Sequence, residues 1–166
     1  MSSIQNMKMN EGVEWAMHSC VNLSWVPGEA VTAKRLAAFY DLPTAYLNKQ
    51  LQALTRAGIL SSVSGPKGGF QLARDPRNIS LLDIVVAIDG GDDAFRCAEI
   101  LKDGPGADPH ADYRKICLVS QAMRAAELNY RRELAGQSIA DIVTRVEEQF
   151  PAAPENARRW FANLKS

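Results

Sequence analysis

Four residues with metal-binding chemistry stand in two pairs, Glu14 with His18 and Cys97 with Cys117. Glu14 and His18 are four positions apart, so on a helix they project from one face. That face is turned by one residue step, about 100°, from the apolar stripe of the same segment. The pair therefore lies at the edge of the core, where a partner surface can meet it. Cys97 and Cys117 bracket the least regular stretch of the chain, DGPGADPHADY at 103–113. Two thiolates on one iron, with imidazole and carboxylate on the other, would make a mixed-ligand [2Fe–2S] site. Replacing thiolate by neutral imidazole lowers the negative charge and raises the potential, which suits reversible one-electron sensing. The plainer readings stay open: a solvated helical Glu/His pair, and two ordinary thiols whose spacing matches no zinc motif. His110, inside the irregular loop, is the competing ligand and otherwise a solvated loop histidine. Cys20 falls on the core stripe and reads as packing.

The elements that would position these groups can be read from periodicity and punctuation. A first helix is expected from Met9 to about Ser24, with Val13, Met17, Cys20 and Ser24 as its stripe and Ala16 and Val21 flanking. Thr32 can cap a short helix ending near Tyr40. Asp41-Leu42-Pro43 then turns the chain sharply, with Pro43 near the start of a second helix over Thr44–Ala57. Leu47, Leu51 and Leu54 form its buried stripe, and Gly58 stops it. Two short runs, Ile59–Val63 and Phe70–Ala73, joined by Gly-Pro-Lys-Gly-Gly, read as a β-hairpin wing. This arrangement is a winged helix–turn–helix, a shape that reads DNA grooves. The residues expected to reach DNA are Thr44, Ala45, Tyr46, Asn48, Lys49 and Gln50 at the start of the second helix, and Lys67, Gly68 and Gly69 at the wing.

Ser80 can cap a helix over Leu81–Ile88, stopped by Gly90-Gly91. A long helix is expected from about Asp112 to Leu134, with Ile116, Val119, Met123, Ala126 and Tyr130 in a narrow apolar stripe. No sequence neighbour is available to bury that stripe, so it is the candidate dimer element. Gly136 ends it. Ser138 can cap a helix over Ile139–Gln149, and Pro154-Glu155 opens a last one bearing Trp160 and Phe161. The fold class is mainly α, a winged helix–turn–helix with a two-stranded wing and a long C-terminal dimerisation helix. Residues 1–80 form the reader, 81–111 a connecting helix and candidate cluster-binding loop, and 112–166 the dimerisation helix and the C-terminal helices.

The hydrophobic fraction of 46% excludes a disordered chain. No apolar run approaches the roughly 18 residues of a membrane span, and the N-terminal residues lack the order of a signal peptide, so a cytoplasmic protein with no membrane partner is expected. Formal net charge is zero, but its distribution is uneven. Residues 30–80 carry seven basic against two acidic groups, a balance of +5, and the chain from 81 onward carries eleven against fourteen, a balance of −3. A basic reader joined to a mildly acidic remainder fits operator DNA as the partner. An enzyme is not expected. There is no nucleophile–base arrangement or paired-carboxylate pocket, and GPKGG lacks the residues that continue a nucleotide loop.

The segment VSGPKGGFQLARDPRNISLLDIVVAIDG is similar to the wing-and-helix signature of the IscR/NsrR family of bacterial winged-helix regulators. CLVSQAMRAAELNYRRELAGQSIADIV resembles that family's dimerisation helix and the segment after it. The likeness runs from about residue 7 to 146 and implies a homodimer on operator DNA, often with an iron–sulfur cluster. The family's cluster-bearing members commonly place three cysteines close together in the loop, whereas here there are only Cys97 and Cys117. EGVEWAMHSCV together with that wide pair looks like the RsrR-like redox-sensing branch. The resemblance implies a [2Fe–2S] cofactor held at Glu14, His18, Cys97 and Cys117, with the Glu/His pair coming from the other subunit. In that light Trp15, well off the core stripe, either packs on the partner or swings between buried and exposed positions as the redox state changes. The expected behaviour is DNA binding by the oxidised form and release by the reduced form. The rival expectations are a cluster-free regulator sensing through thiols or a small effector, and a winged-helix adaptor that binds protein.

Overall fold

The computed structural model describes residues 10–163. Met9, expected to open the first helix, lies outside them. Helix α1 covers Glu11–Ser24, and the Asn10 side chain accepts the Gly12 N–H at 2.8 Å as its cap. Its buried face is broader than the expected stripe. Val13, Ala16, Cys20, Val21 and Leu23 are buried, whereas Met17 and Ser24 are only half-buried. Helix α2 covers Ala33–Phe39, with the Thr32 hydroxyl accepting the Arg35 N–H. The turn after it holds Asp41 in the left-handed region, φ 54°. Helix α3 covers Thr44–Arg56, starts directly after Pro43, and is stopped by Gly58 at φ 74°. Leu47, Leu51 and Leu54 are all fully buried. This apolar face, rather than local propensity, holds so short a helix in place.

The wing is a two-stranded antiparallel sheet, β1 (Leu60–Val63) and β2 (Gly69–Leu72), with Leu60 opposite Leu72 and Val63 opposite Gly69. It does not hang free. Val31 and Phe70 exchange both backbone hydrogen bonds, at 2.9 and 2.8 Å, so the α1–α2 connection lies along β2 as a third edge. Gly69 makes that contact possible. Its φ is 139°, and a Cβ there would come within 2.4 Å of the Val31 carbonyl carbon.

Helix α4 (Leu81–Asp89) opens with a capping box, Ser80 with Asp83, and Gly90 ends it at φ 87°. The expected long helix is broken. A single turn, α5 (Tyr113–Ile116), stops at Cys117, whose extended backbone (ψ 118°) makes it the N-cap of α6 (Leu118–Ala135). Apolar periodicity carries across such a break unmarked, which is why the two read as one. Helices α7 (Ile139–Gln149) and α8 (Ala153–Asn163) complete the chain, α7 opening with a second capping box, Ser138 with Asp141.

The two capping boxes are stitched together. Leu81 N–H donates to the Gln137 carbonyl and Ile139 N–H to the Ile79 carbonyl, both at 2.9 Å. The chain after α6 is thereby returned to the reader, and Ile139, Ala157 and Phe161 share one core with Leu36, Leu51 and Ile84. Helices α7 and α8 thus pack on the reader. Trp160 and Phe161 pack on Phe39 of α2 with ring centroids 5.1 and 5.4 Å away, and the Arg35 guanidinium donates to the Phe161 carbonyl. Helix α6 behaves differently. Only Ser120 and Leu134 are buried along it, and the expected stripe of Val119, Met123, Ala126 and Tyr130 is open.

Gly69→Ala is expected to lower the unfolding free energy by roughly 2–4 kcal/mol, because both the backbone conformation and the Val31 contact resist a Cβ. Thermal melts followed by circular dichroism check it, with Pro66→Ala at the exposed tip as a control that should stay within about 0.5 kcal/mol.

Candidate DNA interface and cysteine site

Helix α3 presents Thr44, Ala45, Tyr46 and Lys49 to solvent and Asn48 half-buried, a surface able to enter a groove. Gln50 is not part of it. At 5% exposure it points the other way, onto α1, where a Cβ on Gly12 would lie 2.7 Å from its amide carbon. Position 50 falls between Leu47 and Leu51 on the buried arc, and the bare backbone at Gly12 leaves the space that a polar side chain of that length needs. At the wing Lys67 is exposed, whereas Gly68 is buried in the turn and Gly69 lies against Val31. The two glycines shape the wing, and Lys67 carries its charge.

The basic excess of the reader is partly used inside the chain. Arg35 bonds Phe161, Arg77 pairs with Asp75 at 2.7 Å, and Arg74 donates to the carbonyls of Gly58 and Ala57 at the end of α3 and of Asn78 before α4. Lys34, Lys49, Arg56 and Lys67 remain exposed. The sequence balance of +5 therefore overstates the number of cations that can face phosphate.

Glu14 and His18 project from the solvent side of α1, with His18 Nε2 4.0 Å from Glu14 Oε1. Both are more than half exposed, so neither is held by burial. The opposite contacts of this helix matter more. Trp15 is half-buried, packed edge-on against Tyr46 with centroids 5.1 Å apart, and the Tyr46 hydroxyl donates to Asn10 Oδ1 at 3.3 Å. His18 leans on Tyr40, in the turn before α3, at 5.3 Å. The contact of Trp15 with its own recognition helix lies outside the sequence expectation for that residue. Tyr40 is likewise an addition to the site, and an aromatic at the end of α2 is the one sequence signal that points to it.

Cys97 is half-buried, and its Sγ accepts the Glu99 N–H at 3.4 Å. Glu99, at φ 55°, is held by Lys102 (2.9 Å) and Arg114 (3.8 Å). Cys117 sits at the head of α6. There the backbone N–H of Ser120, with that of Val119 alongside, holds its thiol below the ordinary range. Burial pushes the Cys20 thiol up to about 12, and with no exposed surface it is a packing residue. His110 is exposed in the loop, its N–H donating to Asp108 Oδ1. Among the described residues of one chain, no three His, Cys, Asp or Glu side chains converge as a metal-holding group. Glu14 and His18 stand on α1, and Cys97 and Cys117 on the stretch between α4 and α6. Ile100, Leu101, Ile116, Leu118 and Val119, near the cysteines in sequence, are exposed.

The family model described as Rrf2, iron-dependent transcriptional regulator, matches residues 9–145. The chain is 38% identical over 122 residues to the HTH-type transcriptional regulator IscR of Photorhabdus laumondii, covering 72% of this chain and 74% of that protein. It is 32% identical over 137 residues to protein aau3 of Rhizobium meliloti, covering 81% and 80%. Among solved structures, T. potens IscR superposes with a TM-score of 0.64 at 22% identity, over 86% of this chain and 90% of that one. CymR of B. subtilis superposes with a TM-score of 0.58 at 19% identity, over 83% and 97%.

In metal-free protein, iodoacetamide is expected to label Cys117 readily and to leave Cys20 untouched until the fold is lost. The Cys117 rate should rise with pH as thiolate forms and reach half its plateau below the value near 8.5 typical of free thiols. Site-resolved mass spectrometry across a pH series checks both.

Proposed function

The chain belongs to the Rrf2 family of transcriptional regulators, which are not enzymes, and on that premise we propose that it is a redox-sensing regulator that binds operator DNA as a homodimer. Its cofactor is a [2Fe–2S] cluster held by Cys97 and Cys117 of one protomer and by Glu14 and His18 of the partner subunit. Acting on DNA, it works in the cytoplasm.

The observation that carries this reading is the pair of incomplete half-sites, each open to a second copy. Glu14 and His18 face solvent, His18 reaching Glu14 and leaning on Tyr40. Apolar residues near the thiols in sequence, Ile100, Leu101, Ile116, Leu118 and Val119, are left exposed in one chain, and exposed apolar surface of that kind suits an association surface. The donor set fits the group. Cys117 is biased toward thiolate by helix amides, and Cys97 accepts a backbone N–H. The bound cluster supplies a reversible one-electron change in charge. The open face of α6, with Leu118, Val119, Met123 and Tyr130, supplies the dimer contact.

The link to DNA runs through α1. Any movement of Glu14 and His18 is felt at Tyr40 in the turn and, through Trp15, at Tyr46 on the recognition helix. Half-sites lie about one duplex turn apart, roughly 34 Å, so a small rotation of each α3 alters the fit. The oxidised protein binds and the reduced protein releases, with Trp15 as the gating contact.

Iron and sulfide analysis with visible spectra on anaerobically purified protein tests the cofactor. A coloured wild type, and Glu14→Ala and His18→Ala variants with altered spectra, are expected. A colourless, iron-free protein would favour sensing through thiols or a small effector. DNA selected from a random library by the oxidised dimer should lose affinity by about 10³–10⁵ between 50 and 200 mM salt if six to ten phosphates are contacted. Lys67→Ala should flatten that slope by about one unit per protomer. Salt-insensitive binding would point to a protein partner, and equal affinity in both redox states would remove the gating.

A further inference from the structure

The segment just before the cysteine loop is tied to α6 by a pair that the site above does not use. The Glu127 carboxylate, largely buried, accepts the Ala94 N–H at 2.9 Å and the Phe95 N–H at 3.4 Å. Arg131, one turn further along, holds Glu127 Oε1 at 3.4 Å and donates to the carbonyls of Gly91 (3.0 Å) and Asp92 (3.1 Å). Asp93 Oδ1 lies 3.9 Å from the same guanidinium. Burial works against the charge on Glu127. The two backbone N–H groups and Arg131 overcome it and hold the carboxyl below its ordinary range. In sequence the pair looks like any solvated Glu/Arg at i, i+4; here it grips a segment far earlier in the chain, spanning 91–95.

We infer that Glu127 and Arg131 are positioning residues that fix Cys97 relative to Cys117, an inference that rests on the proposed role of both thiols as ligands. The lengths agree. Ten residues of α6 separate Cys117 from Glu127, about 15 Å of helix. A helical side chain leans toward the N-terminus, here by most of a turn, which leaves roughly 10 Å to Cys117. Two extended residues from Phe95 to Cys97 span at most about 7 Å, and the two thiol side chains cover the remainder. Anchoring the segment one turn lower on α6 would leave Cys97 short of its partner thiol. A carboxylate with two backbone N–H donors and a guanidinium is a firm anchor because every bond in it is charge-assisted.

The test uses the full-length dimer and the variants Glu127→Gln and Arg131→Gln, with Glu133→Gln on the same helix as control and thermal melts to establish that each is folded. Hydrogen exchange reads the clamp, and the Ala94 and Phe95 amides should exchange at least about tenfold faster in Glu127→Gln. Phenylarsine oxide, which binds two thiols held close together, reads their placement in metal-free protein. Its affinity for Cys97 and Cys117 should fall about tenfold in both clamp variants and stay unchanged in the control. Unchanged exchange, or unchanged arsenical affinity despite faster exchange, overturns the inference. Iron release to a chelator, measured alongside, should quicken by a similar factor. A wild type that takes up no iron would sink the cluster reading, while the arsenical measurement still decides the clamp.

Discussion

The contact on which the rest depends is the seating of α1 against the recognition helix. Gly12 lets the backbone of α1 close on Gln50, and Trp15 meets Tyr46 edge-on a turn later. A helix packed that closely cannot shift without moving its neighbour, because cores rearrange in discrete steps rather than deforming smoothly. The opposite side of the same helix carries Glu14 and His18 in water. One element thus has a face committed to α3 and an exposed pair, Glu14 and His18, that touches the reader through Tyr40.

The C-terminal helices make the reader a stiff platform for that coupling. The bridge between Ser80 and Ser138 joins two helix starts, each already closed by its own capping box. Phe161 and Trp160 then brace Phe39 at the end of α2, and Trp25 Nε1 donates to Glu147 on α7 at 3.0 Å. Anchored at both ends of the helix–turn–helix, the core leaves α6 as the element without an apolar neighbour along most of its length. A helix of 18 residues with so little burial gains little stability from its own packing.

Local signals in the sequence are legible where a single residue decides the geometry. Thr32, Ser80 and Ser138 cap the helices expected of them, Gly58 and Gly90 stop theirs, and the leucine stripe of α3 is fully buried. Pairings distant in sequence are not legible. Periodicity cannot tell an arc that faces DNA from one that faces another helix, so Gln50 reads as a DNA contact although it packs on α1. It cannot register a one-residue interruption either, so Cys117 reads as lying inside a helix rather than at the head of one. The Glu127–Arg131 grip on residues 91–95 has no local trace at all. The site's residue types are visible in the sequence, but the reason they are divided between two surfaces is not.

The break at Cys117 has chemical weight beyond topology. Inside a continuous helix the amides of residues 118–120 would already be bonded to carbonyls four residues earlier. As the N-cap, Cys117 meets unpaired amides of the first turn of α6, which favour the anion. The interruption that hides this residue from periodicity is therefore the feature that favours its thiolate. Cys20, on an unbroken and buried stretch of α1, shows the opposite case, a thiol pushed up to about 12 and kept from chemistry by its surroundings. Identical side chains are separated into an accessible, acidified thiol and a buried filler by where the backbone places them.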